Sequence, residues 1–302
     1  GIGSEWNSGE LVQILLDDED MNLDARTKNQ MKIKDNKTIV PAIKIGSPIT
    51  LTTLDVFEIQ DDPKEAGGGS TVTFDQNMND TQCSSDYNTS STQTTRNASY
   101  LSCYEKYSER AVVTNSQAAI TLADDDQLHF TYNGTTVADL QDLISGANGT
   151  AAYSYINYDF RSFNGGKNDS NYYMNFTIGD DSIDSYLGDG FGHSLQAGSS
   201  GTEFYQTGLV GTALINSPGT KAIGWGSLDT SKALQVNVEL NAISGTLGDE
   251  LAAGTSYPIT MDFVTFGQSN DGVASSDRHN NSIYRLEVDE VDTNGGIFVG
   301  EL

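Results

Sequence analysis

Five acidic residues and one amide follow directly on a short apolar stretch near the start of the chain. Residues 17–24 read Asp-Asp-Glu-Asp-Met-Asn-Leu-Asp, and residues 11–16 before them have the apolar content of a β-strand. Asp18, Asp20, Asn22 and Asp24 alternate, as oxygen ligands do where a tight loop wraps a hard cation. A set of oxygen ligands rich in carboxylates favours calcium over zinc or copper. This acidic loop therefore predicts a structural calcium site, with a solvated acidic turn as the alternative.

The acidic loop departs from the EF-hand pattern. Leu23 stands where that motif has a turn glycine, and Asn29 stands at the closing position usually held by a glutamate. A second apolar stretch that runs into an acidic turn, residues 120–126, echoes residues 14–20 and adds Asp124 and Asp126 as candidate ligands. The echo predicts two related β-sandwich modules, residues 1–115 and 116–302, with a chance match in so acidic a chain as the alternative.

Acidic residues dominate the whole chain. The chain has 42 Asp and Glu residues and 16 Lys and Arg residues, which gives a formal net charge of −26 over 302 residues. Nucleic acid is excluded as a partner, since a phosphate backbone binds a basic surface that this composition does not supply. A field of this sign attracts small cations, and the alternative interpretation is a surface adapted to salt. No stretch of about 20 apolar residues is present to span a bilayer.

Cysteines and glycosylation sequons indicate an extracellular location. Cys83 and Cys103 flank a polar tract, and a disulfide between them would close a loop of about 20 residues and stabilise the fold by roughly 3 kcal/mol. Nine Asn-x-Ser/Thr sequons fit a glycosylated exterior. They are Asn36, Asn79, Asn88, Asn97, Asn133, Asn148, Asn168, Asn175 and Asn280. No signal peptide opens the chain, so Gly1 is expected to be a processed terminus or the start of a fragment.

Short alternating apolar segments between Gly, Asn, Asp and Ser clusters predict an all-β protein made of antiparallel sandwiches. The predicted strands are 11–16, 32–39, 50–59, 71–74, 118–122, 172–178, 234–240, 259–266 and 283–288. One helix is predicted at 136–145, where Val137, Leu140, Leu143 and Ile144 share a face.

No residue pattern indicates an enzyme. The three histidines, His129, His193 and His279, lie far apart without the spacing of metal ligands, so each is expected at the surface or in a turn. With 42 acidic residues, some carboxylate pair will lie at a glycosidase distance by chance, so such a pair means little. The aromatic residues of segment 153–173 fit core or interface packing better than a sugar-binding face.

Several strings resemble the repeating modules of surface-layer proteins from ammonia-oxidizing archaea of the thaumarchaeal group. They lie at residues 8–24, 40–48, 253–263 and 284–300, in the order found in those modules. The resemblance implies immunoglobulin-like sandwiches in tandem, a glycosylated lattice stabilised by metal ions, and an acidic coat that favours passage of cations such as ammonium. It carries over to the acidic loop alone, and members of that family are usually longer than this chain.

Three function classes follow. A lattice-forming structural subunit at the cell surface, with copies of itself, small cations and attached glycans as partners, is the preferred one. An extracellular adhesin or pilus-like filament subunit would share the sandwiches and the cations. A secreted carbohydrate-active module would instead need an aromatic cleft with two positioned carboxylates.

Overall fold

The computed structural model describes residues 11–35, 38–60, 100–105, 108–114, 119–124, 126–145, 152–164, 171–180, 203–216, 228–245, 247–268, 273 and 278–301. Within these ranges the fold is all-β in class, with antiparallel strands and one α-helix, α1 (Val137–Ser145). The strands are β1 (Gln13–Asp17), β2 (Gln30–Met31), β3 (Ala42–Ile45), β4 (Leu54–Gln60), β5 (Tyr100–Glu105), β6 (Arg110–Thr114), β7 (Ile120–Thr121), β8 (Gln127–Thr136), β9 (Ala152–Asp159), β10 (Tyr172–Asp180), β11 (Glu203–Thr207), β12 (Val210–Asn216), β13 (Ala233–Ala242), β14 (Glu250–Leu251), β15 (Ser256–Gln268), β16 (Arg278–Arg285), β17 (Val288–Glu290) and β18 (Ile297–Glu301).

Two sheets pack face to face around one hydrophobic core. The first has five strands in the order β11-β10-β13-β8-β4. The second has seven, of which five follow the order β12-β9-β15-β16-β3, while β6 pairs with β15 and β5 pairs with β6. Tyr158 and Phe176 meet across the core with ring centroids 5.0 Å apart, and Tyr132 and Phe263 with centroids 6.4 Å apart. Burial of the two apolar inner faces stabilises this sandwich.

Alternation along the central strands decides which side chains enter the core. On β13, Leu234, Val236, Val238 and Leu240 are 0% exposed and belong to the core cluster. The residues between them are polar. Because successive side chains of a strand point to opposite faces, these polar residues lie on the outer side of the five-stranded sheet.

The predicted helix is confirmed. Val137, Leu140, Leu143 and Ile144 are all buried, as their shared face predicted. A reciprocal cap begins the helix, because Thr136 Oγ1 accepts from the Asp139 N–H (3.2 Å) while Asp139 Oδ2 accepts from the Thr136 N–H (2.6 Å).

The strand predicted at residues 32–39 is wrong for the part that the structure describes. No strand forms at residues 32–35 or 38–39: β2 ends at Met31, and the chain then turns. The buried Arg110 guanidinium explains this, since it donates to the carbonyl oxygens of Lys32, Ile33 and Thr38. Because these carbonyl oxygens accept hydrogen bonds from the Arg110 guanidinium, they are not paired with a neighbouring strand. The predicted strand 71–74 lies outside the described residues.

Both ends of the described chain build a separate small sheet, which we call the terminal module. Its strand order is β1-β18-β17-β2. Met31, Leu286, Val288 and Phe298 form its core, against which Ile14, Leu16 and Met21 pack. Leu15 alternates with these residues on β1 and is 66% exposed.

Strands on the two sides of residue 115 share the same sheets. Strands β1 to β4 pair with β18, β17, β16 and β8, and β6 pairs with β15. The described structure is therefore not divided at this position into two independent modules. Within the described part of the chain, no helix is long and apolar enough to cross a membrane.

Candidate functional site

The acidic loop lies in the terminal module, directly after β1. Its centre is a short 3-10 helix, Glu19–Met21, capped by Asp18, whose Oδ1 accepts from the Asp20 N–H at 3.1 Å. The Asp18 N–H donates to the Gly296 carbonyl oxygen (2.8 Å), which fixes the loop to the residue just before β18. The apolar stretch forms an edge strand, and the loop turns away from it with its carboxylates toward solvent.

Besides Asp18, two more of the four predicted ligands accept hydrogen bonds from residues of the loop or of the segment that follows it. Asp24 Oδ1 accepts from the Arg26 N–H (2.9 Å), and its Oδ2 accepts from the Thr27 hydroxyl (3.3 Å). Asn22 Oδ1 accepts from the Asn29 side-chain amide at 3.0 Å. Among the described residues, no three Asp, Glu, His or Cys side chains are grouped so as to hold a metal ion.

Glu290, on β17, is the residue of this region that sequence reasoning missed. It is 2% exposed, and its Oε2 accepts from the Asn29 N–H (2.8 Å) and the Asn29 Nδ2 (3.1 Å). Its Oε1 is buried and has no hydrogen-bond partner in the described structure. Asn29 thus joins Glu290 to Asn22, a predicted ligand 268 positions earlier in the chain (290 against 22). No local pattern announces this pairing, because only the tertiary fold brings β17 beside the loop.

The second pair of predicted ligands lies in the main sandwich, away from the first. Asp124 Oδ1 accepts from the Ala242 N–H (2.9 Å), which ties the turn to the end of β13. Asp126 is 2% exposed, and its Oδ2 accepts from the Ala123 N–H at 2.8 Å. Both carboxylates therefore accept from backbone N–H groups, Asp126 within the acidic turn and Asp124 from β13.

The sequons and cysteines fall on different parts of the fold. Asn280 lies exposed on β16, and Asn133 lies on β8 beside Gly134, where a positive φ of 68° accompanies a register shift. Asn175 is 7% exposed on β10, so a glycan there would require the outer face of the sheet to open. Cys103 lies on β5 opposite Val112, and Cys83 lies outside the described residues, so the disulfide stays a prediction. Asn36, Asn79, Asn88, Asn97, Asn148 and Asn168 also lie outside them.

Two arginines form buried contacts near the start of β6, one within the sandwich and one to the segment that follows β2. Arg285, at the end of β16, forms a bidentate ion pair with Asp262, which is 1% exposed, and also donates to the carbonyls of Ser108 (2.5 Å) and Glu109 (2.8 Å). Burial raises the pKa of the Asp262 carboxyl, and the Arg285 guanidinium opposes that rise. Arg110, which is 0% exposed, binds the carbonyls that precede β3.

The outer side of the five-stranded sheet carries buried polar side chains, which we call the polar face. Its six most buried members are Gln127, His129, Asn175, Thr177, Gln235 and Asn237. The Asn237 amide donates to Gln127 Oε1 (2.9 Å) and the Gln235 amide to Thr131 Oγ1 (3.4 Å). The side-chain oxygens of Asn175, Gln235 and Asn237 have no partner in the described structure. Burial lowers the pKa of His129 to about 4, so this imidazole is neutral at pH 7.

The aromatic residues of segment 153–173 divide between two surfaces. Tyr158, Phe160 and Tyr172 are buried in the core, while Tyr153 is 47% exposed on the outer side of the seven-stranded sheet. The surface or turn position expected for His129 is wrong, because this side chain is 6% exposed and belongs to the polar face. No protein-family model matches this chain, and no curated protein matches it.

Proposed function

We propose that this protein is a structural subunit of an acidic, glycosylated lattice at the cell surface. In this proposal copies of the chain assemble side by side outside the cell, calcium stabilises the folded subunit, and the coat favours cations such as ammonium. The protein is not an enzyme. The observation that carries the proposal is the charge of −26 on an all-β chain whose acidic loop projects from the terminal module.

An immunoglobulin-like sandwich is part of this proposal. The support for it is the pair of antiparallel sheets with one shared core. The tandem arrangement implied by the resemblance has less support, because strands from both halves of the chain enter each of the three larger sheets.

Cation enrichment needs a lattice geometry as well as charge. At ionic strengths near that of seawater, the Debye length falls to a few ångströms, so a lone acidic surface enriches cations only in a thin layer. In a pore whose opposing walls both carry carboxylates, the cation-enriched layers of the two walls overlap. A porous array of so acidic a chain would therefore concentrate cations where a single subunit does not.

Calcium would bind at the acidic loop, and Glu290 supports that location. Asp18, Asp20, Asn22 and Asp24 offer oxygen ligands of the kind calcium takes. Glu290 adds a buried carboxylate oxygen that lacks a partner and lies beside Asn29, which contacts Asn22. A bound cation would offset the cost of leaving that oxygen unpaired.

Electron microscopy of the purified protein in millimolar calcium tests the assembly. A two-dimensional sheet is the expected result. Filaments would support the adhesin or pilus alternative instead, and a monodisperse monomer at every concentration would contradict both. A sheet with neutral or basic pores would refute the cation-sieving part alone.

Melting curves with and without a chelator test the calcium site. A cation that binds only the folded chain raises the melting temperature by mass action, so EDTA should lower it. We expect Asp20→Ala and Glu290→Gln to reduce this calcium-dependent shift. Asp289→Asn is the matched control, because Asp289 neighbours Glu290 but is exposed and paired with Lys32 at 2.9 Å. An identical curve for the wild type in EDTA and in calcium would exclude the site.

A further inference from the structure

We propose that Asn280 carries an N-linked glycan and that this glycan lies along the aromatic side chains of Phe266 and Tyr153 instead of projecting into solvent. The inference rests on the proposed glycosylated surface. It identifies which of two described sequons carries a sugar chain and which protein surface that sugar chain contacts. The ligand of this surface is a saccharide attached to the same chain.

Exposure distinguishes two of the sequons. Asn175 and Asn280 are the sequon asparagines whose burial the structure describes. Asn175 is 7% exposed, and Thr177, the third residue of its sequon, is 4% exposed on the same side of β10. Asn280 is exposed on β16. Because a glycan is bulky and hydrophilic, the folded chain accommodates one at Asn280 and not at Asn175.

The strand register places two aromatic residues beside Asn280. Asn280 lies opposite Phe266 on β15, and Phe266 lies opposite Tyr153 on β9. Opposite residues of neighbouring strands point to the same side of a sheet, with Cβ atoms about 5 Å apart. We call these three residues the aromatic row. It lies near the connection between β15 and β16, beyond the buried Val264 (0% exposed) and Ser282 (2%).

The aromatic row presents apolar surface to solvent. Tyr153 is 47% exposed, and Phe266 is half-buried. The Phe266 ring contacts that of Tyr155, with centroids 6.3 Å apart, which limits its motion. The apolar side of a sugar ring packs on an aromatic ring because both lose contact with water. The aromatic row is therefore a platform of the kind that binds saccharides.

Reach and attachment favour the chain's own glycan as the occupant of this platform. The first sugar is joined to Asn280, with Phe266 about 5 Å away. Tyr153 is two strand spacings away, or about 10 Å, which is in reach of the following sugar. Attachment gives these sugars an effective concentration of millimolar order or above, so weak contacts suffice. A free saccharide would have to supply that concentration in solution.

The attachment needs a lipid-linked phosphosugar donor and a transferase, both supplied by the cell. A bond forms between Asn280 Nδ2 and C1 of the first sugar, and the bond from C1 to the donor phosphate oxygen breaks. One amide proton is lost, and the lipid phosphate leaves. The transferase also reads the hydroxyl of the sequon, here Ser282, which is 2% exposed. The transfer therefore precedes the entry of β16 into the sheet.

Glycopeptide mass spectrometry of the protein from the cells that make it tests the occupancy. We expect a glycan on Asn280 and none on Asn175. A bare Asn280 with glycans on other sequons would refute this inference and leave the proposed glycosylated lattice intact. A glycan on Asn175 of the folded protein would contradict the exposure argument. Absence of glycan from every sequon would refute the glycosylated part of the proposed function as well.

Melting temperatures test the packing of the glycan on the aromatic row. Ser282→Ala removes the sequon and keeps Asn280, so Tyr153→Ser is compared in the wild-type and Ser282→Ala backgrounds. We expect Tyr153→Ser to lower the melting temperature by at least about 2 °C more when the glycan is present. The control is Leu214→Ser, because Leu214 is 46% exposed on the edge strand β12 and lies outside the aromatic row. Its effect should be equal in both backgrounds.

A second variant and a chemical probe complete the test. Asn280→Gln replaces Ser282→Ala if circular dichroism shows that the latter does not fold. Nitration of Tyr153 by tetranitromethane should be several-fold slower in the glycosylated protein than in Asn280→Gln, because the sugar covers the ring. Equal melting losses and equal nitration rates with and without the glycan would show that it projects into solvent, and would refute the packing.

Discussion

The outer sides of the two sheets differ in how exposed their side chains are. The polar face of the five-stranded sheet holds amides and a histidine that are only 3 to 7% exposed. The outer side of the seven-stranded sheet also holds buried polar residues, such as Asp262 (1% exposed) and Ser282 (2%). It differs in carrying five apolar side chains that are 42 to 47% exposed, which we call the apolar face: Ile43, Ile45, Tyr153, Val210 and Leu214. An ordinary sandwich has polar outer residues in water and apolar residues in the core. Here each outer face departs from that arrangement in its own direction.

The two faces illustrate two different contributions to the free energy of a folded chain. A buried amide without a partner costs free energy in the isolated subunit, because it has lost its water. An exposed apolar side chain costs little in the subunit and becomes favourable when a partner covers it. The polar face is therefore expected to govern the stability of one chain, whereas substitutions on the apolar face should change that stability little.

The largest expected effect concerns Asp262, the more deeply buried of two acids on the outer side of the seven-stranded sheet (1% exposed, against 7% for Asp159). Asp262→Asn removes the charge opposite Arg285, whose side chain is only 7% exposed, and leaves a buried guanidinium without a counter-charge. We expect a loss of about 3 to 5 kcal/mol in the free energy of unfolding, measured by urea denaturation. The control is Asp289→Asn in the exposed pair with Lys32, where a loss of at most about 1 kcal/mol is expected. Equal losses in the two variants would contradict the assignment of a buried pair.

The polar face should make stability depend on pH through His129. Its folded pKa of about 4 lies below the value of 6.5 in an unfolded chain, so the unfolded state binds the proton first as pH falls. The contribution of His129 to the free energy of unfolding is therefore fully present above pH 6.5 and is lost as pH falls toward 4. The loss is about 2 to 3 kcal/mol at pH 4.5. His129→Gln should lack this component. Urea unfolding of both proteins at pH 7 and pH 4.5 measures it, and parallel losses would argue against a buried neutral imidazole.

Two asparagines of the polar face should respond in opposite directions. Asn175→Val removes an amide oxygen that has no partner, so we expect stability to rise by about 1 kcal/mol. Asn237→Val removes the donor to Gln127 Oε1 and leaves that oxygen unpaired, so a loss of about 1 to 3 kcal/mol is expected. Thermal melting of the two variants makes the comparison. A loss in both would show that the Asn175 oxygen is satisfied in the protein.

The smallest effect on stability is expected on the exposed part of the apolar face. Leu214→Thr changes a side chain that is 46% exposed on the edge strand β12, and the monomer should lose no more than about 0.5 kcal/mol. Dilute samples must be used, so that association does not contribute. A loss above about 2 kcal/mol would show that Leu214 belongs to the core and not to the exposed surface.

Local patterns predicted some elements closely and missed others for identifiable reasons. The strands at 172–178 and 234–240 and the helix were predicted because their alternation or helical period is regular. The strand β8 was missed because its apolar positions are interrupted by His129 and by the Asn133-Gly134 bulge. The segment 32–39 has strand-like composition, yet Arg110 binds its carbonyls. That interaction joins residues 77 positions apart in the case of Ile33.

The candidate calcium site also has one part that the sequence predicted and one part that it did not. The acidic loop is visible in the sequence because its carboxylates are contiguous. Glu290 was not, since nothing near it in the chain distinguishes it from the other acidic residues. Only the pairing of β17 with β2 brings it to Asn29.

The sequence by itself determined the all-β class, the acidic charge and the one helix, because alternation, composition and a helical period act locally or add over the chain. The tertiary structure decided which polar residues are buried and which apolar residues are exposed. Both outer faces follow the same alternation along their strands, and that pattern does not specify what will cover a face. Burial depends on the packing of distant segments, and that packing is fixed only when the two sheets and the terminal module come together.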